Sequence, residues 1–553
     1  MSNQEPSKAG PFRLGRREFV ARTGVGLAGL LLSPGLLPSC APAASRAAVP
    51  GGMRGANHAV GHLLRQPSKL PTPAHTVQTE VLIIGGGVTG LSAKRWLHRH
   101  GITDVLLVEL DEQVGGNASS GRNEVSAYPW GAHYLPIPDT RNHELLEFLT
   151  EAGVITGTSE AGLPVYNEYY LCHDPEERLH IHGHWQQGLV PNLGVPPADL
   201  AQIARFLALA EQFRQARGAD GRDAFAIPLD RSSADPQFRQ LDALSFADYL
   251  TAQGFTSPYL RWYLDYCCRD DYGAPATQVS AWAGIHYFAG RKGQAHNAAA
   301  ADVLTWPEGN GFLVNHLRRQ TAAGIKAGTL AYGLRETTAG VEVLTYDVAT
   351  KQTTRIEAKR VLLATPHFVT QRLLADAWPE APKLNVYHAP WLIANLTVAG
   401  LPQGPGVPLC WDNVQYGSAS LGYINANHQN LGSDLGSKVI TFYWPLSEEA
   451  PDLARRRAYQ TSYEDWMTQI LSELETAHPG ISAHLQHAEA WVWGHGMVAP
   501  TPGYLWNSER FSAAQPRHGK LFFAHTDLSG VSIFEEAFYQ GIRAANEILG
   551  QSA

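Results

Sequence analysis

Three patterns in this 553-residue chain place residues of the right type at a spacing that can do chemistry. The sharpest is Gly85-Gly86-Gly87-Val88-Thr89-Gly90, which follows the apolar run Val81-Leu82-Ile83-Ile84 and opens a helical stretch. Its glycines have separate tasks. Gly85 permits a tight turn, Gly87 lets backbone N–H groups reach a pyrophosphate at a helix N-terminus, and Gly90 lets helix and strand pack closely. A second apolar run from Asp104 ends in Glu109, about twenty residues on, where a carboxylate accepts both hydroxyls of an adenosine ribose and disfavours a 2′-phosphate. The second pattern is Arg269-Asp270-Asp271-Tyr272-Gly273, where Asp270 or Asp271 can recognise a cationic amine or serve as a helix cap or salt-bridge partner. The third is His180, His182 and His184, whose alternation puts them on one face of a strand, as a metal would need. The flanking residues read as a hairpin without further ligands, so no metal centre is expected.

The rest of the composition narrows the classes. A chain this long exceeds the roughly 250 to 300 residues at which one core stops growing, so at least two domains are expected. Hydrophobic residues make up 44% and charged residues 17%, with 14 Trp and 53 Gly, a globular enzyme's profile. The net charge of -8 comes without a Lys/Arg run after the first few dozen residues, which argues against nucleic acid as a partner. Of the five Cys, Cys172 and Cys410 stand alone and Cys267-Cys268 are adjacent, poor disulfide partners for each other.

The N-terminus reads as an address. Arg16-Arg17 precedes an uncharged apolar stretch over 23–32 and then Leu37-Pro38-Ser39-Cys40. This segment, 1–40, resembles a twin-arginine export signal ending in a lipobox, with Cys40 the candidate lipidated residue. The apolar stretch is shorter than the roughly 20 residues that span a bilayer. The expectation is a protein exported by the twin-arginine machinery and periplasmic, with lipidated Cys40 as a candidate membrane tether. That route carries folded cargo, which suits a protein loaded with a cofactor before crossing. Residues 41–75, rich in Ala, Pro, Gly and Ser, read as a linker.

Gly115-Gly116-Asn117-Ala118-Ser119-Ser120 follows Glu109 at a spacing that resembles the flavin-containing amine oxidase and carotenoid (phytoene) desaturase superfamily. In that superfamily the second glycine pair lies against the FAD pyrophosphate. Asn117 stands where the family usually carries Arg, and Arg122 is a candidate substitute. Near the C-terminus, the strand from Gly519 to Asp527 and the helix after it resemble the second half of the FAD signature. The resemblance implies that Asp527 meets the ribityl or phosphate region, and that the helix N-terminus faces the flavin and stabilises its reduced anion. Glu536-Ala537 replaces the family's Gly-Ala step, and an acid there opposes that anion unless it faces away.

The same resemblance suggests catalytic positions. Amine oxidases of the superfamily place a Lys on the strand after an Ala-x-Pro segment, here Ala364-Thr365-Pro366, and that position falls at Asn395. Trp493, His495 and Tyr504 lie where the family places its aromatic floor, whose faces hold an alkylammonium or stack on a polyene. His133, in the segment leading to the flavin face, is a candidate acid or base. The stretch from Trp491 to Tyr504 lacks Cys, so FAD is expected to be held non-covalently.

These readings predict an α/β fold with an FAD-binding Rossmann-like domain interleaved with an α+β substrate domain. FAD-binding pieces are expected at 76–199, 292–388 and 494–553, a helical substrate cap at 200–291, and a substrate-domain sheet at 389–493. The expected function is an FAD-dependent oxidoreductase passing hydride from a substrate C–H to flavin N5. An amine is one substrate class; an isoprenoid or lipid-like molecule is another, which the missing Lys suits. A flavin-containing binding protein with little turnover is a third reading. The electron acceptor, O2 or a quinone, stays open.

Overall fold

The computed structural model describes residues 49–55, 57–430 and 436–550, so Arg16, Arg17 and Cys40 lie outside the described residues. Its organising element is the strand His75–Ile84, whose last four residues are buried on both faces. An unbroken apolar run of this kind is what a central parallel strand requires. It sits between Val105–Val108 and Thr353–Leu363, parallel to both, in a seven-stranded sheet. Leu521–Phe523 joins the same sheet beside Thr353–Leu363, so the chain's two ends meet in one domain. The helices Val88–Arg99 and Phe534–Leu549 lock this meeting. Ser92 Oγ donates to the Phe538 carbonyl at 3.1 Å, and a Cβ at Gly541 would lie 2.1 Å from Ser92 Oγ, so only glycine allows the approach.

The second sheet has eight strands, with the long pair Tyr387–Ala399 and Leu485–Ala499 near one edge. Strand alternation explains why Tyr387–Ala399 is apolar almost throughout. Leu392, Ala394, Leu396 and Val398 face a core shared with the helix Tyr463–Ala477, while Ala389, Trp391 and Ile393 face an aromatic cluster with Tyr128, Trp130 and Trp491. Helices Pro197–Gln215, Phe246–Ala252, Pro258–Tyr272 and Ala281–Ala289 share a separate core around Phe206, Phe246, Leu264 and Trp282.

Three features depart from the sequence reading. Within the presumed linker, Gly51–Gly55 is a strand paired in parallel with Leu485–Ala499, and His58–Gly61 is helical. The backbone hydrogen bonds of a sheet edge recruit it regardless of its loop-like composition. The hairpin Glu177–Ile181 and His184–Gln187, assigned by position to the dinucleotide domain, joins the eight-stranded sheet instead. His182 occupies that hairpin's turn at φ 52°, so the three histidines do not line one face, and the described residues contain no metal-ligating group of three or more.

Candidate functional site

The glycine turn opens onto a groove of about 810 Å³. Gly85 adopts φ 109°, and a Cβ there would meet the Ala364 carbonyl at 2.3 Å. Gly90 is equally constrained, since its Cβ would lie 2.0 Å from the Gly85 carbonyl. Gly87 differs: a Cβ there meets nothing within 4 Å, because the position faces the open groove at the N-terminus of Val88–Arg99. A space that a side chain would fill, at a positive helix end, fits a pyrophosphate. Gly115, Gly116 and Asn117 line the groove beside it, with Gly115 bridged to Gly87.

Glu109 closes one end. Its carboxylate accepts from the Gly86 N–H at 2.6 Å and the Asp111 N–H at 2.9 Å, and burial raises its pKa to about 7. Asp527 lines the other end. It is fully buried and accepts from His388 Nε2 at 2.9 Å and from the His367 N–H at 2.7 Å, with His525 Nδ1 at 3.2 Å. Burial pushes this carboxyl upward, but His388 and His525 outweigh it and hold Asp527 well below the usual carboxylate range.

At that end the groove adjoins a smaller cavity of about 130 Å³. Asn117, Ala132, Trp493, Gly496, Ile533 and Phe534 line both spaces. The cavity walls are aromatic, with Tyr287, Trp391, Tyr443 and Trp493. Its polar groups include Asp270, Asp271, Glu535, Arg291, Tyr134, His133 and His286. Arg291 pairs with Asp271 through two contacts at 2.8 and 3.1 Å, and its guanidinium lies 4.4 Å from the centre of the Tyr287 ring. Asp270 accepts a side-chain hydrogen bond from the Tyr134 hydroxyl, at 3.4 Å. Burial, then the adjacent Asp271, raises the Asp270 pKa to about 7. Burial lowers both His133 and His286 to about 4, so they are neutral. The cavity therefore opposes three carboxyl groups with the single permanent cation of Arg291.

The expected site residues separate into those lining these spaces and those lying elsewhere. Gly85, Gly87, Glu109, Gly115, Gly116, Asn117, Asp527 and Ala537 line the groove, and His133 lines the cavity. Asn117 Nδ2 is tied to the Gly496 carbonyl, and Arg122 is exposed on a separate short strand. Trp493 joins the two spaces, its Nε1 donating to the Trp130 carbonyl at 2.5 Å.

Four positions are corrected. Asn395 lies two residues beyond Ile393 on the same strand face, where Nδ2 donates to the Pro129 carbonyl at 3.1 Å and Oδ1 accepts from Thr441 at 2.6 Å. It lines neither space. His495 stacks on Phe368 at 4.3 Å inside the groove, away from the cavity, and burial lowers it to about 3. Tyr504 is buried and donates to the Asp527 carbonyl at 2.7 Å, supporting that loop from behind. Glu536 turns toward the helical cap and accepts the Leu229 N–H, while burial raises it to about 8. Successive helical residues point about 100° apart, so Glu536 faces away while Glu535 faces the cavity.

Several lining residues carried no signal that sequence reasoning used. His58, His62 and Arg65, from the presumed linker, line the groove together with Arg372 and His388. Loop-like composition concealed the first three, and His388 reaches Asp527 only through the tertiary meeting of two distant segments. The pair Glu535-Glu536 was visible, and helical period alone separates its two directions.

Residues 88–549 match the family of flavin containing amine oxidoreductases. No curated protein sequence matches the chain. Among solved structures, a double variant of putrescine oxidase is similar at 16% identity and TM-score 0.62, covering 86% of this chain and 100% of its own. Putrescine oxidase bound to putrescine is similar at 15% identity and TM-score 0.59, with 86% and 100% covered. Cyclohexylamine oxidase from Brevibacterium oxydans IH-35A is similar at 15% and 0.56, with 85% and 99% covered. At such identities the likeness speaks for the fold, while the family match runs over most of the chain. This chain belongs to the flavin-containing amine oxidoreductase family and is an FAD-dependent, amine oxidase-like oxidoreductase.

Proposed function

We propose that the enzyme oxidises a small amine, held as a cation in the cavity, using FAD bound non-covalently in the groove. The observation that carries this reading is the cavity's charge imbalance: Asp270, Asp271 and Glu535 share one guanidinium, whose ion pair is with Asp271. A buried carboxyl with raised pKa is brought back to its ionised form by a nearby positive charge, so a cationic ligand gains from the site and a neutral one does not. Tyr287, Trp391, Tyr443 and Trp493 supply aromatic faces to the same ligand. A lipid-like substrate would have to leave these acids unpaired in an apolar surround.

For the cofactor, Glu109 would take the adenosine ribose, the backbone at Gly87 and Gly116 the pyrophosphate, and the Asp527, Phe534 and Ala537 end the flavin. Bound there, FAD supplies the oxidising capacity, accepting hydride from the carbon next to the amine nitrogen. The chain's own residues bind and orient. His133 lies with Nδ1 at 3.3 Å from the Gly131 carbonyl, which assigns the proton to Nδ1 and leaves Nε2 as an acceptor toward the substrate. Trp493 forms the partition beside the reacting carbon.

The Arg16-Arg17 segment supports export of the folded, loaded enzyme, with Cys40 the candidate anchor. Turnover of a panel of primary amines, monitored by aldehyde formation, tests the substrate class. Asp270→Asn should raise KM for the best amine about ten- to a hundredfold, as expected for losing a charge-assisted contact. An unchanged KM would remove Asp270 from substrate recognition.

A further inference from the structure

Glu535 is the least explained group in the cavity. It is 3% exposed, lines the space, and among the described residues its carboxylate has no hydrogen bond or ion pair with another residue. A buried carboxyl left this way is normally satisfied by something else. Its neighbour Glu536 shows the contrast, since it turns outward and accepts the Leu229 N–H. Phe534, on the other side of Glu535, lines both the groove and the cavity, so Glu535 stands on the helix turn where the two spaces meet.

We propose that Glu535 is the catalytic base that receives the substrate's ammonium proton at that junction. An amine arrives mainly protonated, and loss of hydride from its α carbon requires the nitrogen lone pair. One N–H bond of the ammonium breaks, one O–H bond forms on Glu535, and the neutral amine remains beside the groove; no oxidant is consumed in this step. Enclosure favours the transfer, because the charged pair becomes a neutral pair in surroundings that solvate charge poorly. Burial raises Glu535 to about 7, within the range useful to a base at neutral pH. Asp271 and Arg291 are the charged groups acting on it, and Asp270, Tyr134, His133, His286 and Tyr287 complete the walls around it. Asp270, by contrast, would anchor charge without needing to take the proton. The inference rests on the amine reading.

The test uses the full-length, flavin-loaded protein. Glu535→Gln keeps the side chain's shape and removes its basicity, and Glu535→Asp restores a carboxylate if the first variant folds poorly. Binding of tert-butylamine, which has no α hydrogen and cannot react, is read from the flavin spectrum alongside turnover. The expected result is kcat/KM for the best amine about 10²- to 10³-fold lower in Glu535→Gln at pH 7. The deficit should shrink toward pH 10, where free amine arrives already neutral, and tert-butylamine binding should weaken in the variant. Partial recovery in Glu535→Asp would support the assignment. Equal activity of wild type and Glu535→Gln at every pH would overturn it while leaving amine oxidation intact. A loaded wild-type protein that turns over no amine would overturn both.

Discussion

Replacing Gly87 by Asp isolates cofactor binding from folding. At Gly87 the backbone has φ -70° and ψ -178°, open to any residue, and a Cβ meets nothing within 4 Å. Gly87 is also the N-cap of Val88–Arg99, where Asp is preferred to Gly, so the unloaded fold should be unchanged or a few tenths of a kcal/mol more stable. The new carboxylate would stand where the phosphates are expected. At about 4 Å and an effective dielectric near 20, one like-charge pair costs about 4 kcal/mol, close to a thousandfold in affinity. The assay is titration of stripped protein with FAD, followed by absorbance and by the melting temperature. Wild type should gain about 4 kcal/mol of stability at a thousandfold excess of FAD over Kd, and Gly87→Asp almost none. Gly90→Ala is the control for a packing role: its Cβ lies 2.0 Å from the Gly85 carbonyl, so it should destabilise the unloaded protein as well. Flavin affinity in Gly87→Asp within tenfold of wild type would refute the placement of the pyrophosphate.

Other expectations follow from single groups. Glu536 has a folded pKa raised to about 8, so the folded state keeps a proton that the unfolded chain sheds above about 4.5. Stability should therefore fall as pH rises from about 5 to 8, by at most about 1.4 kcal/mol per unit. Glu536→Gln should flatten that slope in denaturant titrations; an unaltered slope would contradict the burial argument. Arg65 and Arg372 are the arginines that line the groove, so if they supply the phosphate charge that Asn117 does not, the double variant Arg65→Ala/Arg372→Ala should weaken FAD binding about ten- to a hundredfold. Unchanged binding would make them bystanders. Arg16→Lys with Arg17→Lys should retain the protein in the cytoplasm, as fractionation would show; normal export would remove the twin-arginine assignment.

The parts of this fold that could be read from sequence are those governed by local rules. The turn at Gly85, the open side of Gly87 and the acid ending the second strand each follow from a backbone constraint confined to a few residues. The three histidines share no face, because alternation places side chains only while the strand continues and His182 is in the turn of the hairpin that the flanking residues indicate. Asn395 is the position that resemblance to the family's Lys indicates, and it lies one alternation beyond the cavity wall at Ile393. His495 and Tyr504 lie near the expected region with other neighbours, because His495 is set against Phe368, more than a hundred residues away, and Tyr504 turns back to the Asp527 carbonyl. The segments Gly51–Gly55 and 58–65 are concealed in the sequence for a different reason. Their pairing is made by backbone groups and their groove contacts by scattered His and Arg, neither of which leaves a hydrophobic period.

The most direct test of the account is anaerobic mixing of the flavin-loaded protein with primary amines, diamines and amino acids while the flavin absorbance is followed. The account predicts that at least one amine bleaches the flavin rapidly, and that Asp270→Asn requires a higher concentration of it. A yellow protein that no amine reduces, and that an isoprenoid or other neutral lipid does reduce, would contradict the proposed substrate class.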